Sequence, residues 1–167
     1  MDLISMNELI ELYQLQPHPE GGYFKETYRA SEAVAKTALP DRFDGDRNFS
    51  TAIYFLIPEG KKSNLHRIKS DEVWHFYLGG PLILIQISPQ GKIDKIILGQ
   101  DIKNGQRVQH VVPAGFWFGA YPNPQTQFSF VGCTVAPGFD FSDFEMGKRN
   151  DLLKQYPHAK EEILFLT

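Results

Sequence analysis

The sequence has a single cysteine, Cys133. One cysteine cannot close an internal disulfide, and no second thiol is present to build a zinc knuckle. It sits in the apolar run Phe128-Ser129-Phe130-Val131-Gly132-Cys133-Thr134-Val135, which suits a small buried hydrophobe. Basic runs are missing as well. The 17 Lys and Arg residues against 20 Asp and Glu leave a net charge of −3, so the electrostatic footprint of a nucleic-acid-binding protein is not expected. No stretch approaches the roughly 18 apolar residues that a bilayer span needs, and no charged-then-apolar leader is read at the start. The expectation is a cytoplasmic protein without a membrane or nucleic-acid partner. Internal repeats, low-complexity tracts and breaks in composition are absent too, which leaves one domain over residues 1–167.

What is present is β-structure. Ser5 and Glu8 form an S-x-x-E capping box for a helix over residues 5–14, which should stop before Pro17-His18-Pro19-Glu20-Gly21-Gly22. Tyr23 to Arg29 reads as a strand, and residues 30–48 read as a long irregular loop of the kind used for lids or partner contacts. From Ser50 onward, short β-rich runs follow one another, each closed by turn residues such as Pro58-Glu59-Gly60 and Gly79-Gly80-Pro81. Eight or nine strands at this spacing, without long helices between them, argue for an antiparallel sandwich or barrel. Leu82-Ile83-Leu84-Ile85 does not alternate, so that strand should be covered on both faces. Asn150 is placed as the cap of a short helix through Gln155, and Ala159–Leu166 reads as a further helix packed outside the barrel.

Gly60, His66, Ile68, Glu72 and Gly79 keep the spacing of the first cupin motif, a glycine, His-x-His, a glutamate and a closing glycine, with Ile68 where the second histidine would stand. Pro113-Ala114-Gly115-Phe116-Trp117-Phe118 resembles the second cupin motif, with Phe118 in place of its histidine. His18 to Arg29, Ser70 to Tyr77 and Gly132 to Phe139 extend the likeness. The chain is thus similar to the small single-domain proteins of cupin family five, a domain of unknown function. The resemblance implies an all-β, antiparallel jelly-roll barrel, usually a homodimer, and it carries no established reaction.

The residues point to a pocket around His66 and Glu72. Metal-binding cupins hold their ion with three histidines and a glutamate. Here Ile68 and Phe118 offer no donor atoms, and two ligands are too few for tight binding, so no metal cofactor is expected and a divalent ion is disfavoured. A rescue would need His75, Asp71 or the N-terminal segment. Alternation turns His66, Ile68, Glu72, Trp74 and Phe76 inward and His75 outward. A His66–Glu72 pair inside a barrel is a candidate acid–base device. One reading makes His66 the base and Glu72 its orienter in a metal-independent epimerase or isomerase acting on a sugar or nucleotide-sugar, with Tyr23 or Tyr54 returning the proton. A second is a non-catalytic binding protein for a nucleotide, a sugar, a nucleotide-sugar or a small acid, with His66 and Glu72 as polar anchors and Trp74, Phe76, Phe118 and Tyr54 as further ligand contacts. A metal-dependent dioxygenase or isomerase and a purely structural dimer module rank below these. His18 and Glu20 lie on a Pro/Gly loop, where a binding role and a turn-forming role explain them equally well.

Overall fold

The computed structural model describes residues 4–167. Its first element, helix α1 (Met6–Tyr13), begins at the expected box. The Ser5 side chain accepts from the Glu8 amide, and the Glu8 carboxylate accepts from the Ser5 amide. The helix ends where Gln14 turns left-handed. Leu9 on its inner face is buried with Leu15, Leu56, Phe128 and Phe130.

Two antiparallel sheets follow. The larger runs in the order β1 (Gln16–Pro17), β2 (Tyr23–Arg29), β5 (Thr51–Pro58), β12 (Phe128–Ala136), β7 (Asp71–Gly79) and β10 (Gln109–Val112). The smaller runs β13 (Glu145–Met146), β6 (Ser63–Arg67), β11 (Trp117–Pro122), β8 (Leu82–Ile87) and β9 (Ile93–Leu98). This is the jelly-roll architecture expected, and the nine strands of four or more residues fall within the runs read from the sequence, with ends shifted by a residue or two. The inner faces of the two sheets share one core, which includes Phe55, Trp74, Phe76, Leu84, Phe118 and Cys133.

The non-alternating strand β8 is covered on both sides. Leu82 and Leu84 enter the inner core, while Ile83, Ile85 and Ile87 pack under the C-terminal helices with Leu152, Ile163 and Leu166. Those helices are α2 (Arg149–Gln155) and α3 (Lys160–Leu166). Asn150 does not cap α2. The Lys148 carbonyl already accepts from the Asp151 and Leu152 amides, so Asn150 lies inside the first turn. Residues 30–48 are not wholly irregular either. They form a small hairpin from β3 (Ala33–Val34) and β4 (Arg47–Asn48). Its end is fixed by Arg47, which makes two 2.6 Å hydrogen bonds to the buried Asp143 carboxylate.

Two of the three register slips among the described strands decide which side chains face the space between the sheets. The pairing of β6 with β11 shifts between Phe118 and Ala120, and the pairing of β2 with β5 shifts between Glu26 and Tyr28. A bulge lets two residues an odd number of positions apart share one face. Here it brings Ser63 together with His66, and Glu26 together with Arg29.

Candidate active site

A cavity of about 340 Å³ opens between the sheets, lined at depth by His18, Glu20, His66, Glu72 and Cys133. His66 is 2% exposed. Its Nδ1 lies 2.7 Å from the Asn64 carbonyl, and its Nε2 lies 3.0 Å from Glu20 Oε2. Both partners are acceptors, so both ring nitrogens carry protons and the ring is an imidazolium. Burial pushes the His66 pKa down, but the Glu20 charge and hydrogen bond, with smaller help from Glu72 and Asn64, leave it raised. Glu20 responds in the opposite sense. Burial pushes it up, and His66, His18 and the Ser63 hydroxyl (2.7 Å from Oε1) together bring it below its ordinary value.

The partner of His66 is therefore Glu20, not Glu72, which corrects the pairing expected from the motif. The correction also removes His66 as a base, since neither nitrogen keeps a lone pair. Glu20 reaches the site from a tight loop. The Asn64 amide donates to the Glu20 carbonyl at 2.8 Å, and Gly21, at φ +114, lies so close to β6 that a Cβ there would stand 2.1 Å from the Lys62 carbonyl oxygen. Only glycine fits that approach. In the sequence, the one clue to this role was a glutamate inside a Pro/Gly loop that formed part of the family likeness.

Glu72 is 7% exposed and has no ion-pair partner among the described residues. Burial raises its carboxyl pKa to about 7; the His66 charge and the Cys133 thiol lower it, and the Glu20 charge raises it. Cys133 is buried and its thiol is pushed up, first by burial and then by Glu72, so it stays protonated. His18 completes the floor. Its Nδ1 accepts from the Glu20 amide at 3.3 Å, and burial outweighs the Glu20 charge in lowering its pKa. Nδ1 also lies 3.5 Å from Glu20 Oε2, but a neutral ring whose lone pair receives an N–H makes that approach a contact, not an ion pair. The His18 proton therefore sits on Nε2.

The other expected site residues divide by face. Phe118 closes over His66, with ring centroids 4.1 Å apart, and so occupies a metal-ligand position of the second motif with a packing role. Trp74 and Phe76 are buried in the inner core, one layer behind the cavity wall; Trp74 meets Phe55 at 5.9 Å and Phe118 at 6.2 Å. Tyr23 and Tyr54 do not reach the site. Alternation along β2 and β5 turns Phe24 and Phe55 into the cavity and sends both tyrosines outward, into the cluster under α1. Arg29 lines the cavity of its own chain, because β2 pairs with β5 of the same chain.

The donor set does not fit a metal ion. Ile68 and Phe118 occupy two ligand positions and His66 Nε2 is engaged by Glu20. Asp71 holds the Ala114 amide at 2.8 Å, and His75 hydrogen-bonds Thr134 and Gln109. No group of three or more His, Cys, Asp or Glu side chains suited to an ion occurs among the described residues.

Comparison with known proteins places this architecture. An uncharacterized protein of Saccharomyces cerevisiae is 32% identical over 174 residues, covering 98% of this chain and 86% of that protein. A Shewanella oneidensis protein of solved structure superposes with a TM-score of 0.89 at 36% identity, over 99% of this chain and 98% of that one. A hypothetical protein from Leishmania major gives 0.88 at 32%, over 98% and 99%. Oxalate decarboxylase from Bacillus subtilis shares the fold alone, with a TM-score of 0.54 at 15% identity over 90% of this chain and 36% of that one. Residues 7–147 match the family model of the cupin superfamily (DUF985), and the chain belongs to that family.

Proposed function

We propose that this protein is a metal-independent acid–base enzyme that shifts a proton on a small carbonyl compound, with Glu72 taking and returning the proton. The observation that carries the reading is the contrast between two carboxyls in one cavity. Glu20 is fully engaged by His66 and Ser63, while Glu72 is buried without an ion-pair partner and titrates near neutrality. A base is most effective when its pKa lies near the working pH.

In the proposed step the Glu72 carboxylate removes a proton from the carbon beside a carbonyl. The C–H electron pair moves to the carbonyl oxygen, which His18 Nε2–H stabilises as a hydrogen-bond donor. Glu72 then returns the proton to the same carbon, which exchanges its hydrogen with solvent, or, where the substrate carries an α-hydroxyl, to the former carbonyl carbon while the hydroxyl proton passes to the former carbonyl oxygen and the carbonyl moves one carbon along. A carboxylate base with a neutral imidazole donor is an established division of labour for enolisation. The buried His66–Glu20 pair acts through position, holding the floor rigid. Because Tyr23 and Tyr54 point away, the chemistry supported is a one-base isomerisation, not a two-base epimerisation. A keto-sugar nucleotide has such a carbon, and so does a simple ketone; the lining of the cavity discriminates between them.

The test is hydrogen exchange in deuterated water, followed by NMR, with simple ketones and keto-sugar nucleotides. Wild type should exchange the α-hydrogens of one of them, and Glu72→Gln should slow this by about 10²-fold or more. Equal exchange in the two proteins would overturn the reading. Ligand binding without turnover is the second reading, favoured by the aromatic lining of the cavity, which needs no proton transfer.

The partner reading is a second copy of this chain. Tyr28, Tyr77 and Val111 are exposed on the outer face of the larger sheet, beside the area that α1 covers. Light scattering should return twice the 19.1 kDa chain mass; a monomer at micromolar concentration would remove the dimer.

A further inference from the structure

The lining of the cavity bears on what can enter it, and this inference rests on the proton-transfer reading only for the identity of the polar head. Arg29 is the one Lys or Arg lining the cavity, and four of its five N–H groups are engaged. Its Nε and one terminal nitrogen bind the Glu26 carboxylate at 3.0 and 2.8 Å. The other terminal nitrogen reaches Asn48 Oδ1 at 2.9 Å and the Phe139 carbonyl at 3.1 Å. Asp140 adds a further negative charge to the lining, so the mouth carries a net negative charge. At depth the His66 and Glu20 charges cancel. An arriving phosphate or carboxylate would meet only the one remaining N–H of a guanidinium already paired with Glu26, beside a net negative charge, and would lose most of its hydration without replacement.

The Thr51 hydroxyl already accepts from the Phe139 amide at 2.9 Å, and Ser63 is held by Glu20. On the floor only the Glu72 carboxyl and His18 Nε2 are free to meet a ligand. The walls are aromatic, formed by Phe24, Phe55, Phe139, Phe141 and Phe144. Phe141 stands at the mouth 55% exposed, within 5.0 Å of the Phe139 ring and 6.1 Å of the Phe144 ring. Rings at these separations form a surface on which a flat apolar molecule packs.

We infer that the cavity takes an uncharged, flat, mostly apolar molecule with a single carbonyl head, such as an aryl-alkyl ketone, and rejects phosphorylated sugars and carboxylates. The head lies against Glu72 and His18, and the ring lies among the phenylalanines.

Calorimetric titration near neutral pH with benzylacetone, hydrocinnamate and uridine diphosphate glucose tests this. Benzylacetone and hydrocinnamate share a ring and spacer and differ in a methyl ketone against a carboxylate. The ketone should bind at least about tenfold more tightly than either of the others. Phe141→Ala, at an exposed position that leaves the fold intact, should weaken it severalfold. Glu26→Gln releases part of Arg29 and should narrow the gap between ketone and carboxylate. A carboxylate or nucleotide-sugar that binds as tightly as the ketone, or no ketone binding at millimolar concentration, would overturn the inference. The two readings separate cleanly. Ketone binding without α-hydrogen exchange keeps the ligand class and removes the proton transfer. Exchange on a tightly bound nucleotide-sugar does the reverse.

Discussion

Glu20 and Glu72 are buried to nearly the same degree, 5% and 7% exposed, yet their carboxyls move in opposite directions. The difference lies in what each touches, and it sets the pH dependence of the fold. Glu20, lowered, contributes stability above its ordinary pKa and loses it as pH falls. His66, raised, contributes below its ordinary pKa and loses it as pH rises, so their pair supports the fold most in mildly acidic solution. Glu72 has the unusual sign for a carboxyl. Its folded pKa of about 7 exceeds the ordinary 4.5, so the folded state holds the proton more tightly and stability falls as pH rises between those values. From about pH 5 to about pH 8, wild type should lose about 2 to 3 kcal/mol relative to Glu72→Gln. Urea denaturation of both proteins at the two pH values measures this, and parallel pH profiles would show that Glu72 ionises freely. At this scale the sequence disclosed two residues of the cavity lining, His66 and Glu72, through motif spacing. It did not disclose their relation, because the residue that engages His66 is 46 positions away by numbering, on a loop whose prolines and glycines already had a sufficient explanation.

Strands and loops show why that relation was hidden. Strict alternation predicts the inward set on β7 correctly, placing Glu72, Trp74 and Phe76 inside and His75 outside. It fails at the bulges in β2 and β6, where Glu26 joins Arg29 and Ser63 joins His66 on one face. A bulge inserts a residue without changing the hydrophobic pattern enough to be read. The loop carrying His18 and Glu20 is fixed by backbone contact with β6, and Gly21 is its tightest point. Gly21→Ala places a side chain at positive φ and against a carbonyl, so it should destabilise the protein by about 2 kcal/mol or more. It should also displace Glu20. The His66 ring resonances would then titrate at lower pH, followed by NMR; an unchanged His66 titration would show that the glycine does not position Glu20. The 30–48 segment, read as a loop for want of periodicity, serves this architecture from the other side. Its β4 end anchors, through Arg47 and Asp143, the stretch carrying Phe139, Phe141 and Phe144.

For the whole molecule, the two-sheet arrangement, the covering of β8 on both faces and the capped first helix all followed from local signals: turn residues, apolar runs and a capping box. These are properties of contiguous sequence, and they were legible. The cavity is a property of the assembled sheets, and its lining mixes residues from β2, β5, β6, β7, β12 and three connecting segments, so no window of sequence contains it. Loss of two metal-ligand positions of the cupin motifs, at Ile68 and Phe118, leaves a site in which one histidine is locked as a cation and one carboxyl is left free. That free carboxyl is the centre of the account, and carboxyl carbon NMR of the isotope-labelled protein tests it directly. Assigned through Glu72→Gln, the Glu72 resonance should titrate near pH 7, as the geometry gives it. A midpoint in the ordinary glutamate range, about 4 to 5, would contradict the assignment of Glu72 as the proton-transfer group.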